Sequence, residues 1–162
     1  MTIPAFDGFE PKLEHLFDMH AGLEPPQLIG AAPAGTRQIF IVKGGDVDGP
    51  RLRGELLPGG GDWATMRPDG AVQLDVRATL KTDDGALIYA YYSGIIGDAM
   101  KTAGRVFSGE EVPLRDYYFY SNPLFQTGAE KYEWLNRVVA IGRGKVAAGA
   151  VEYRVWAVVN PS

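Results

Sequence analysis

The chain has 162 residues, of which 46% are hydrophobic, and this length and composition fit one domain with a sizeable core. Twenty acidic residues against sixteen basic ones give a net charge of −4, and there is no basic run of the kind that binds phosphate backbones, so nucleic-acid binding is not expected. The sequence contains no cysteine, which excludes disulfides, thiolate catalysis and cysteine-based zinc sites.

The N-terminal segment, MTIPAFDGFEPKLEH, carries acids and prolines where a signal peptide has a basic end followed by an apolar stretch. No apolar run approaches the roughly 20 residues that span a membrane. We therefore expect a cytoplasmic protein without a membrane segment. Residues 1–12 are predicted to form a loose arm and residues 13–162 a single domain.

The first half of the domain predicts short strands separated by turns. A mixed run over residues 13–20 comes first, and residues 25–35, which begin with two prolines, predict a loop. The run RQIFIV at 37–42 is rich in β-branched and aromatic residues, which predicts a strand. Another short strand is expected at 52–57.

The next three strands, expected at 62–67, 71–81 and 86–92, form a meander joined by two Asp-Gly turns. Asp-Gly is a strong signal for a two-residue hairpin loop, because both positions tolerate positive φ. Such loops would pair the strands as follows: Asp62 opposite Arg77, Ala64 opposite Asp75, and Arg77 opposite Tyr92.

Because side chains alternate along a strand, this register assigns each meander residue to a face. One face carries Asp62, Asp75, Arg77 and Tyr92. The other face is mainly apolar and carries Trp63, Leu74, Val76, Ala78, Leu80, Leu87, Tyr89 and Tyr91. A slip of one residue would exchange the faces, so the register can be tested.

The second half predicts two short helices and three more strands. Asp98 is a candidate N-cap for a helix with the apolar side Met100, Ala103, Val106 and Phe107. Thr127 and Glu130 form a capping box for the second helix. Strands are expected at 117–126 with an interruption at Pro123, at 137–141 and at 151–159. About eight or nine strands with little helix favour an all-β fold, a single antiparallel barrel of about eight strands, because closure removes exposed edges.

The charged meander face is the first candidate site. Carboxylates and a guanidinium inside a barrel can orient a polar group or move a proton. The alternative is a solvated outer face with an ordinary ion pair, and the neighbouring Gln73, Thr79 and Lys81 favour it. Arg53, beside Gly54 in a predicted strand, is either a carboxylate-binding residue or an exposed strand arginine.

Aromatic residues are numerous for this length, and on strands they either line a ligand cavity or fill the core. The candidates for a cavity are Trp63, Tyr89, Tyr92, Tyr118 and Trp134. No metal site is expected, since the two histidines point to opposite faces of one strand. No cofactor is expected either, because the glycine-rich segments lack the spacing of phosphate-binding loops.

The motifs GPRLRGELLPGGGDW, RPDG, LDVRATLKTDDGALIY and YYFYSNPLFQTGAEKYEWLNR resemble the UPF0311 family, the DUF3237 domain, over nearly the whole chain. The resemblance implies a small β-barrel related in shape to the allene oxide cyclase and dirigent barrels, in a family whose biochemical role is largely unassigned. The sequence departs from that pattern at Tyr120, where many relatives have a small or basic residue, which affects pocket polarity.

The resemblance also implies a set of motif positions in this chain. These are Gly49, Pro50, Leu52, Gly54, Gly61, Asp62, Trp63, Leu74, Asp75, Arg77, Asp83, Asp84, Gly85, Ala86, Tyr132, Trp134, Leu135 and Asn136, with Arg53 in a variable slot. The charged Asp75–Arg77 step within the motif strengthens the meander face as a site, although a structural ion-pair network would also explain it.

We expect a cofactor-independent enzyme, a lyase or isomerase acting on an apolar or aromatic small molecule in the barrel. In this hypothesis Asp75 is the general acid or base, Arg77 and Arg53 orient the substrate or stabilise an oxyanion, and Asp62 holds Arg77. The alternatives are a non-catalytic small-molecule binding barrel and a purely structural protein, whose sign would be a fully packed interior. A homo-oligomer, a dimer or trimer, is also expected, with the apolar strand at 151–159 as a candidate interface.

Overall fold

The computed structural model describes residues 8–162, so most of the predicted N-terminal arm lies outside the described residues. The first strand begins at Lys12. The first seven strands are β1 (Lys12–Leu23), β2 (Gln27–Ala32), β3 (Gly35–Asp48), β4 (Gly54–Leu56), β5 (Gly61–Met66), β6 (Val72–Thr82) and β7 (Leu87–Ile96).

The second half contains the helical segments and four more strands. The elements are α1 (Ala99–Phe107), a 3-10 turn (Leu114–Asp116), β8 (Phe119–Ser121), β9 (Leu124–Gln126), a 3-10 segment (Glu130–Arg137), β10 (Ala140–Ala147) and β11 (Ala150–Val159). The predicted interruption at Pro123 is confirmed, because it separates β8 from β9. The strand β10 begins later than predicted because the 3-10 segment occupies residues 130–137.

Eight of the strands close into an antiparallel barrel, which confirms the predicted fold class. The neighbours around the ring are β1, β3, β5, β6, β7, β8, β10 and β11, and β11 returns to β1. The other three strands extend this ring: β4 pairs with β3 and β6, β9 pairs with β7, and β2 pairs with β3. The predicted loop at 25–35 is therefore wrong, because residues 27–32 form β2.

The inner face of the barrel is an apolar core produced by strict alternation. In β6 the inward residues Leu74, Val76, Ala78 and Leu80 are at most 6% exposed, while the residues between them face outward. In β11 the inward residues include Tyr153, Val155 and Ala157, which accounts for the apolar character of this strand. The predicted dimer or trimer stays a prediction.

The helices form where expected, but with different packing. Asp98 precedes α1 as its N-cap, yet its side chain makes no cap hydrogen bond and its backbone is left-handed, with φ 53°. The predicted apolar side is correct for Val106, which packs against the core, and wrong for Met100 and Phe107, which are exposed, while Ala99 and Thr102 are buried. Among the described residues, no helix combines the length and apolar character required to cross a membrane.

The second predicted cap, the capping box of Thr127 and Glu130, is also not formed. Thr127 Oγ1 accepts the Ala129 N–H at 3.1 Å and donates to the Leu87 carbonyl at 2.8 Å. Asn136 bonds the Thr127 backbone in both directions, so Thr127 anchors the 3-10 segment to β7 instead of starting a helix.

The meander is present, but its predicted register is wrong by one residue at both turns. Arg77 lies opposite Gly61 in β5 and opposite Tyr91 in β7. Both turns are three-residue loops: the Arg67 N–H bonds the Ala71 carbonyl, and the Thr82 N–H bonds the Ala86 carbonyl. The last loop residues, Gly70 and Gly85, have φ of 85° and 88°, the left-handed conformation that glycine allows.

Candidate functional site

The wall of the barrel has a break between β5 and β6. Asp62 pairs with Val76 and Thr65 pairs with Gln73, but the intervening residues of β5 are not paired with β6. The register is the same on both sides, so the break is a local separation of the strands and contains no inserted residue. Backbone groups inside the break must find other partners, because buried unpaired groups are costly.

Two side chains fill this break. The Asp75 N–H donates to Asp62 Oδ1 at 3.0 Å, and Arg37 Nη1 donates to the Trp63 carbonyl at 2.6 Å. Asp62 comes from the inner face, since its pairing partner Val76 is in the core, whereas Arg37 comes from the outer face beside Thr65. A carboxyl and a guanidinium therefore enter the same break from opposite sides of the wall, and each bonds a different backbone group.

The Asp62 carboxyl has the properties of a proton donor and acceptor near neutral pH. Its enclosure by the barrel wall raises its pKa from 3.8 to about 6, and the nearby Asp75 charge adds to this rise. The Asp75 N–H and the Arg37 charge oppose the rise by stabilising the carboxylate. A carboxyl with a pKa close to neutrality can both take and release a proton during a reaction.

A tyrosine pair lies on the inner side of Asp62. The rings of Tyr92 and Tyr153 meet edge to face with centroids 5.6 Å apart. Burial raises the pKa of both phenols, and the Asp62 charge raises them further, so both hydroxyls stay protonated. Behind them Ser121 Oγ is buried and has no hydrogen-bond partner among residues 8–162.

The interior beneath the tyrosine pair is too small for a substrate. The void lined by Tyr92, Ser121, Tyr153 and the surrounding apolar side chains has a volume of about 10 Å³. That volume holds about one water molecule. The predicted ligand cavity is therefore not found in this part of the barrel, where packed side chains fill the space.

A much larger space, a cleft of about 520 Å³, lies on the outer wall over the break. Its lining residues come from β3, β5, β6, β7 and β9 and adjoining loops: Ala34, Arg37, Trp63, Thr65, Arg67, Gln73, Leu74, Asp75, Val76, Arg77, Tyr89, Tyr91, Tyr92, Ser93, Asn122 and Leu124. The inward residues Leu74, Val76 and Tyr92 contribute to it because the strands separate beneath it. A volume of this size is typical of small-molecule sites.

The cleft has aromatic walls and charged groups between them. Tyr89 and Tyr91 stack with centroids 5.2 Å apart, and the Arg77 guanidinium lies 6.0 Å from the Trp63 ring centre. Arg77 Nη1 donates to Asp75 Oδ1 at 3.0 Å, so these two charges are paired with each other. The predicted pairing of Asp62 with Arg77 is wrong, because the register shift moves Asp62 to the inner face.

Five of the predicted site residues line this cleft: Trp63, Asp75, Arg77, Tyr89 and Tyr92. The predicted common face does not exist, since Asp75 and Arg77 are about half exposed on the outer wall while Asp62 and Tyr92 face inward. Asp62 lies behind the cleft floor, bonded to the backbone of Asp75.

The remaining predicted residues lie elsewhere. Arg53 pairs with Asp48 at 2.9 Å, and both side chains are at least 69% exposed. Tyr118 is 57% exposed and packs on Tyr120 with ring centroids 4.9 Å apart. Trp134 lies under the Arg51 guanidinium, 4.2 Å from the ring centre. None of these residues is part of the cleft lining.

Three residues of the cleft lining were not predicted as site residues: Arg37, Ser93 and Asn122. Ser93 Oγ donates to Asn122 Oδ1 at 3.2 Å, which places a polar pair beside the aromatic wall. No sequence pattern indicated that Arg37 belongs to the site. The strands β3 and β5 are separated by β4 and a long connection, and this connection does not determine their register. Asn122 lies between the end of β8 and Pro123. The predicted interruption of the strand at Pro123 could have indicated Asn122 as a candidate site residue.

The raised pKa of Asp62 predicts a specific pH dependence of stability. The folded state holds a proton on Asp62 that the unfolded state has lost between pH 4 and 6, so the free energy of unfolding should fall over this range and level off above it. A shift of about two pKa units corresponds to roughly 2–3 kcal/mol. Urea unfolding of the wild type and of Asp62→Asn between pH 4 and 8 measures this pH dependence of the free energy of unfolding. The Asn variant should lose this component, and an identical pH profile would contradict the assignment.

Comparison with known proteins identifies similar chains. A family model described as "Protein of unknown function (DUF3237)" matches residues 11–158. A UPF0311 protein of Clostridium acetobutylicum is 37% identical over 127 residues, which cover 78% of this chain and 80% of that protein. A hydroalkoxylation enzyme of Penicillium herquei is 29% identical over 132 residues, which cover 82% of this chain and 73% of the enzyme.

Solved structures show the same fold. A conserved protein of unknown function from Rhodopseudomonas palustris has a TM-score of 0.83 and 28% identity, covering 93% of this chain and 99% of that chain. An enzyme from Penicillium herquei has a TM-score of 0.69 and 26% identity, covering 98% of both chains. The similarity therefore extends over the whole barrel.

Proposed function

This chain belongs to the DUF3237 family, as the sequence motifs predicted, and we propose that it is a cofactor-independent enzyme of the lyase or isomerase type that uses Asp62 as its general acid and base. The observation that carries the proposal is the position of Asp62, a carboxyl with a pKa of about 6 at a break in the wall beneath an aromatic cleft. Asp75, the residue that the sequence favoured for this role, is exposed and paired with Arg77.

The similarity to a hydroalkoxylation enzyme supports a particular reaction, the addition of an O–H group across a C=C bond. We propose the form of this reaction in which both groups belong to one molecule. In our proposal the substrate hydroxyl reaches the Asp62 carboxylate through the break between β5 and β6, the carboxylate takes its proton, and the oxygen forms a bond to one alkene carbon. The alkene is conjugated to a carbonyl group, so its π electrons move to the carbonyl oxygen, and the other alkene carbon then takes the proton back from Asp62. The product is an isomer of the substrate, and the proton returns, so the step needs no cofactor.

The cleft supplies the other requirements of this reaction. Trp63, Tyr89 and Tyr91 provide flat apolar walls for an unsaturated or aromatic substrate. The Ser93–Asn122 pair and Arg77 offer hydrogen-bond donors for oxygen atoms of the substrate. Positioning the hydroxyl and the alkene in one orientation is itself a large part of catalysis for an intramolecular addition.

A second candidate function is a non-catalytic binding protein that holds a small aromatic molecule in the same cleft. The observation that favours it is the exposure of Asp75 and Arg77, which are 56% and 54% exposed on the outer wall. Exposed charges can orient a ligand, but they are poorly suited to acid–base catalysis because water competes for them. Both functions require binding of a small molecule in the cleft, so only a measurement of turnover distinguishes the enzyme from the binding protein.

The proposed function is tested with hydroxyalkene probes in D₂O. We expect 2′-hydroxychalcone or 1-(2-hydroxyphenyl)but-2-en-1-one to cyclise faster with the protein than in buffer. The product should carry one deuterium at the protonated carbon and have one enantiomer in excess. The enantiomeric excess reports cyclisation within a chiral site, which a solution reaction does not provide, and the deuterium identifies the carbon that takes the proton.

The measurement is chiral chromatography with mass spectrometry, and Arg115→Gln, an exposed residue outside the cleft lining, is the matched control. The control should behave as the wild type. Binding of both probes in the cleft with buffer rates and racemic product would contradict the enzyme and support the binding protein.

A further inference from the structure

Arg37 differs from the other arginines of the cleft in its partners. Arg77 pairs with Asp75, and Arg67 pairs with Asp69 through two of its nitrogens. Arg37 donates to the Trp63 carbonyl, a neutral acceptor. Among residues 8–162, no carboxylate oxygen lies within 4.0 Å of its guanidinium.

The charge of Arg37 is therefore available to a ligand. Its side chain is half-buried at the edge of the cleft, where a charge is less screened than on an open surface. A guanidinium has five N–H donors, and one Nη1 bond to Trp63 leaves donors for a second acceptor. The Arg37 charge acts on Asp62, but this carboxyl has a raised pKa and is protonated for part of the time near neutral pH.

The charges lining the cleft have an excess of positive sign. Three arginines and one carboxylate, that of Asp75, line it, in a chain whose net charge is −4. Positive charge concentrated in a concave site of an acidic protein attracts anions and holds them there. The aromatic walls formed by Trp63, Tyr89 and Tyr91 lie in the same space as these charges.

We propose that the cleft takes an aromatic molecule that carries a carboxylate, with Arg37 as the residue that binds the carboxylate and the Trp63 and Tyr89–Tyr91 rings as the walls for the aromatic part. This inference rests on the proposed function, because it names the substrate class of the same cleft. A planar guanidinium matches the two oxygens of a carboxylate, and this pairing is stronger than one between neutral groups.

The test compares two ligands of equal shape, cinnamate and cinnamamide, by isothermal titration calorimetry and by chemical-shift changes of the Trp63 indole. We expect cinnamate to bind the wild-type chain about tenfold or more tightly than cinnamamide, because hydrogen bonds to charged groups are the stronger kind. Raising the salt concentration should weaken cinnamate binding and leave cinnamamide binding unchanged. Equal affinities with no salt dependence would overturn the inference.

Arg37→Gln tests the residue, since glutamine can still donate to the Trp63 carbonyl while it lacks the charge. The preference for cinnamate should disappear in this variant, and cinnamamide affinity should be unchanged. Arg37→Lys should recover part of the preference, and Arg115→Gln should keep all of it. A full preference in a folded Arg37→Gln variant would assign the carboxylate to another residue and overturn the inference.

Failure of this inference and failure of the proposed function are distinguishable. Cyclisation of hydroxyalkenes without any preference for carboxylates would remove Arg37 as the anion site and leave the enzyme. A preference for cinnamate without cyclisation of any probe would leave the carboxylate site in a binding protein. If Arg37→Gln does not fold, the comparison of the two ligands and the salt dependence in the wild type still decide the inference.

Discussion

Replacing Asp62 with Asn should lower the cyclisation rate by about 10²–10⁴-fold, the range that a general acid or base contributes. Asparagine cannot take or deliver the proton, but its amide oxygen can still accept the Asp75 N–H, so the break in the wall should keep its structure. Affinity for the probe should therefore change little while kcat falls. The wild-type rate should also show a pH limb near 6 that the variant lacks.

Asp75→Asn is the matched control for this prediction, since it removes the neighbouring carboxylate of the same cleft. Asp75 faces solvent and pairs with Arg77, so we expect a loss of no more than about tenfold, mainly through KM, for an exposed ion pair. Steady-state kinetics of the two variants across pH 4–8 separate the roles. A large loss in Asp75→Asn with an active Asp62→Asn would reverse the assignment.

The second large effect concerns the ring stack that supports this site. Phe119 is 1% exposed, and its ring meets Tyr153 edge to face with centroids 5.4 Å apart. A Cβ on Gly144 would lie 2.5 Å from three atoms of the Phe119 ring. We expect Phe119→Ala to lower the free energy of unfolding by about 3–5 kcal/mol through the cavity it leaves. Gly144→Ala should lower it by about 1–3 kcal/mol through overpacking.

The double variant makes the prediction specific. With Phe119 replaced by Ala, the methyl group added by Gly144→Ala no longer meets a ring and fills part of the cavity. The double variant should therefore lose less unfolding free energy than the sum of the two single-variant losses, by about 0.5–3 kcal/mol. Urea unfolding of both single variants and the double variant measures this coupling. Gly128→Ala, where a Cβ meets no atom within 4 Å, is the control and should lie within about 0.5 kcal/mol of wild type. Additive losses would contradict the contact.

The fold class could be predicted from the sequence because the signals that indicate it are local. Alternation in β6 and the strand breaks at glycine and proline depend on neighbouring residues, and they led to the barrel. The strand β2 was missed because Gln27–Ala32 follows two prolines and lacks β-branched residues apart from Ile29. It is held as a strand by pairing with β3, which is a tertiary contact.

The register error has a physical cause that the sequence contains. Proline has φ near −65°, so Pro68 suits the first corner of a type I turn, and Gly70 then takes the left-handed position of a three-residue loop. The turn Arg67-Pro68-Asp69-Gly70 is thus a signal for the longer loop, and the two-residue interpretation overlooked it. A register shift of one residue at each turn is enough to move Asp62 in β5 and Tyr92 in β7 to the inner face.

The candidate site was only partly predictable for a related reason. The motifs and the predicted register placed Trp63, Asp75, Arg77, Tyr89 and Tyr92 in one region, and all five line the cleft. The break between β5 and β6 and the arrival of Arg37 depend on how β3 and β5 pair across a long connection. No local pattern contains that information, so the roles of Arg37 and Asp62 required the structure.

The most direct test of the proposed role of Asp62 is a ¹³C NMR titration of its carboxyl group in the wild type and in Arg37→Gln. The charged and titratable groups around it are Arg37, Asp75, Tyr92 and Tyr153, and of these Arg37 lowers its pKa. We expect a pKa of about 6 in the wild type and a higher value in the variant, where that positive charge is gone. A pKa near the ordinary 3.8, or one that does not respond to Arg37→Gln, would contradict it.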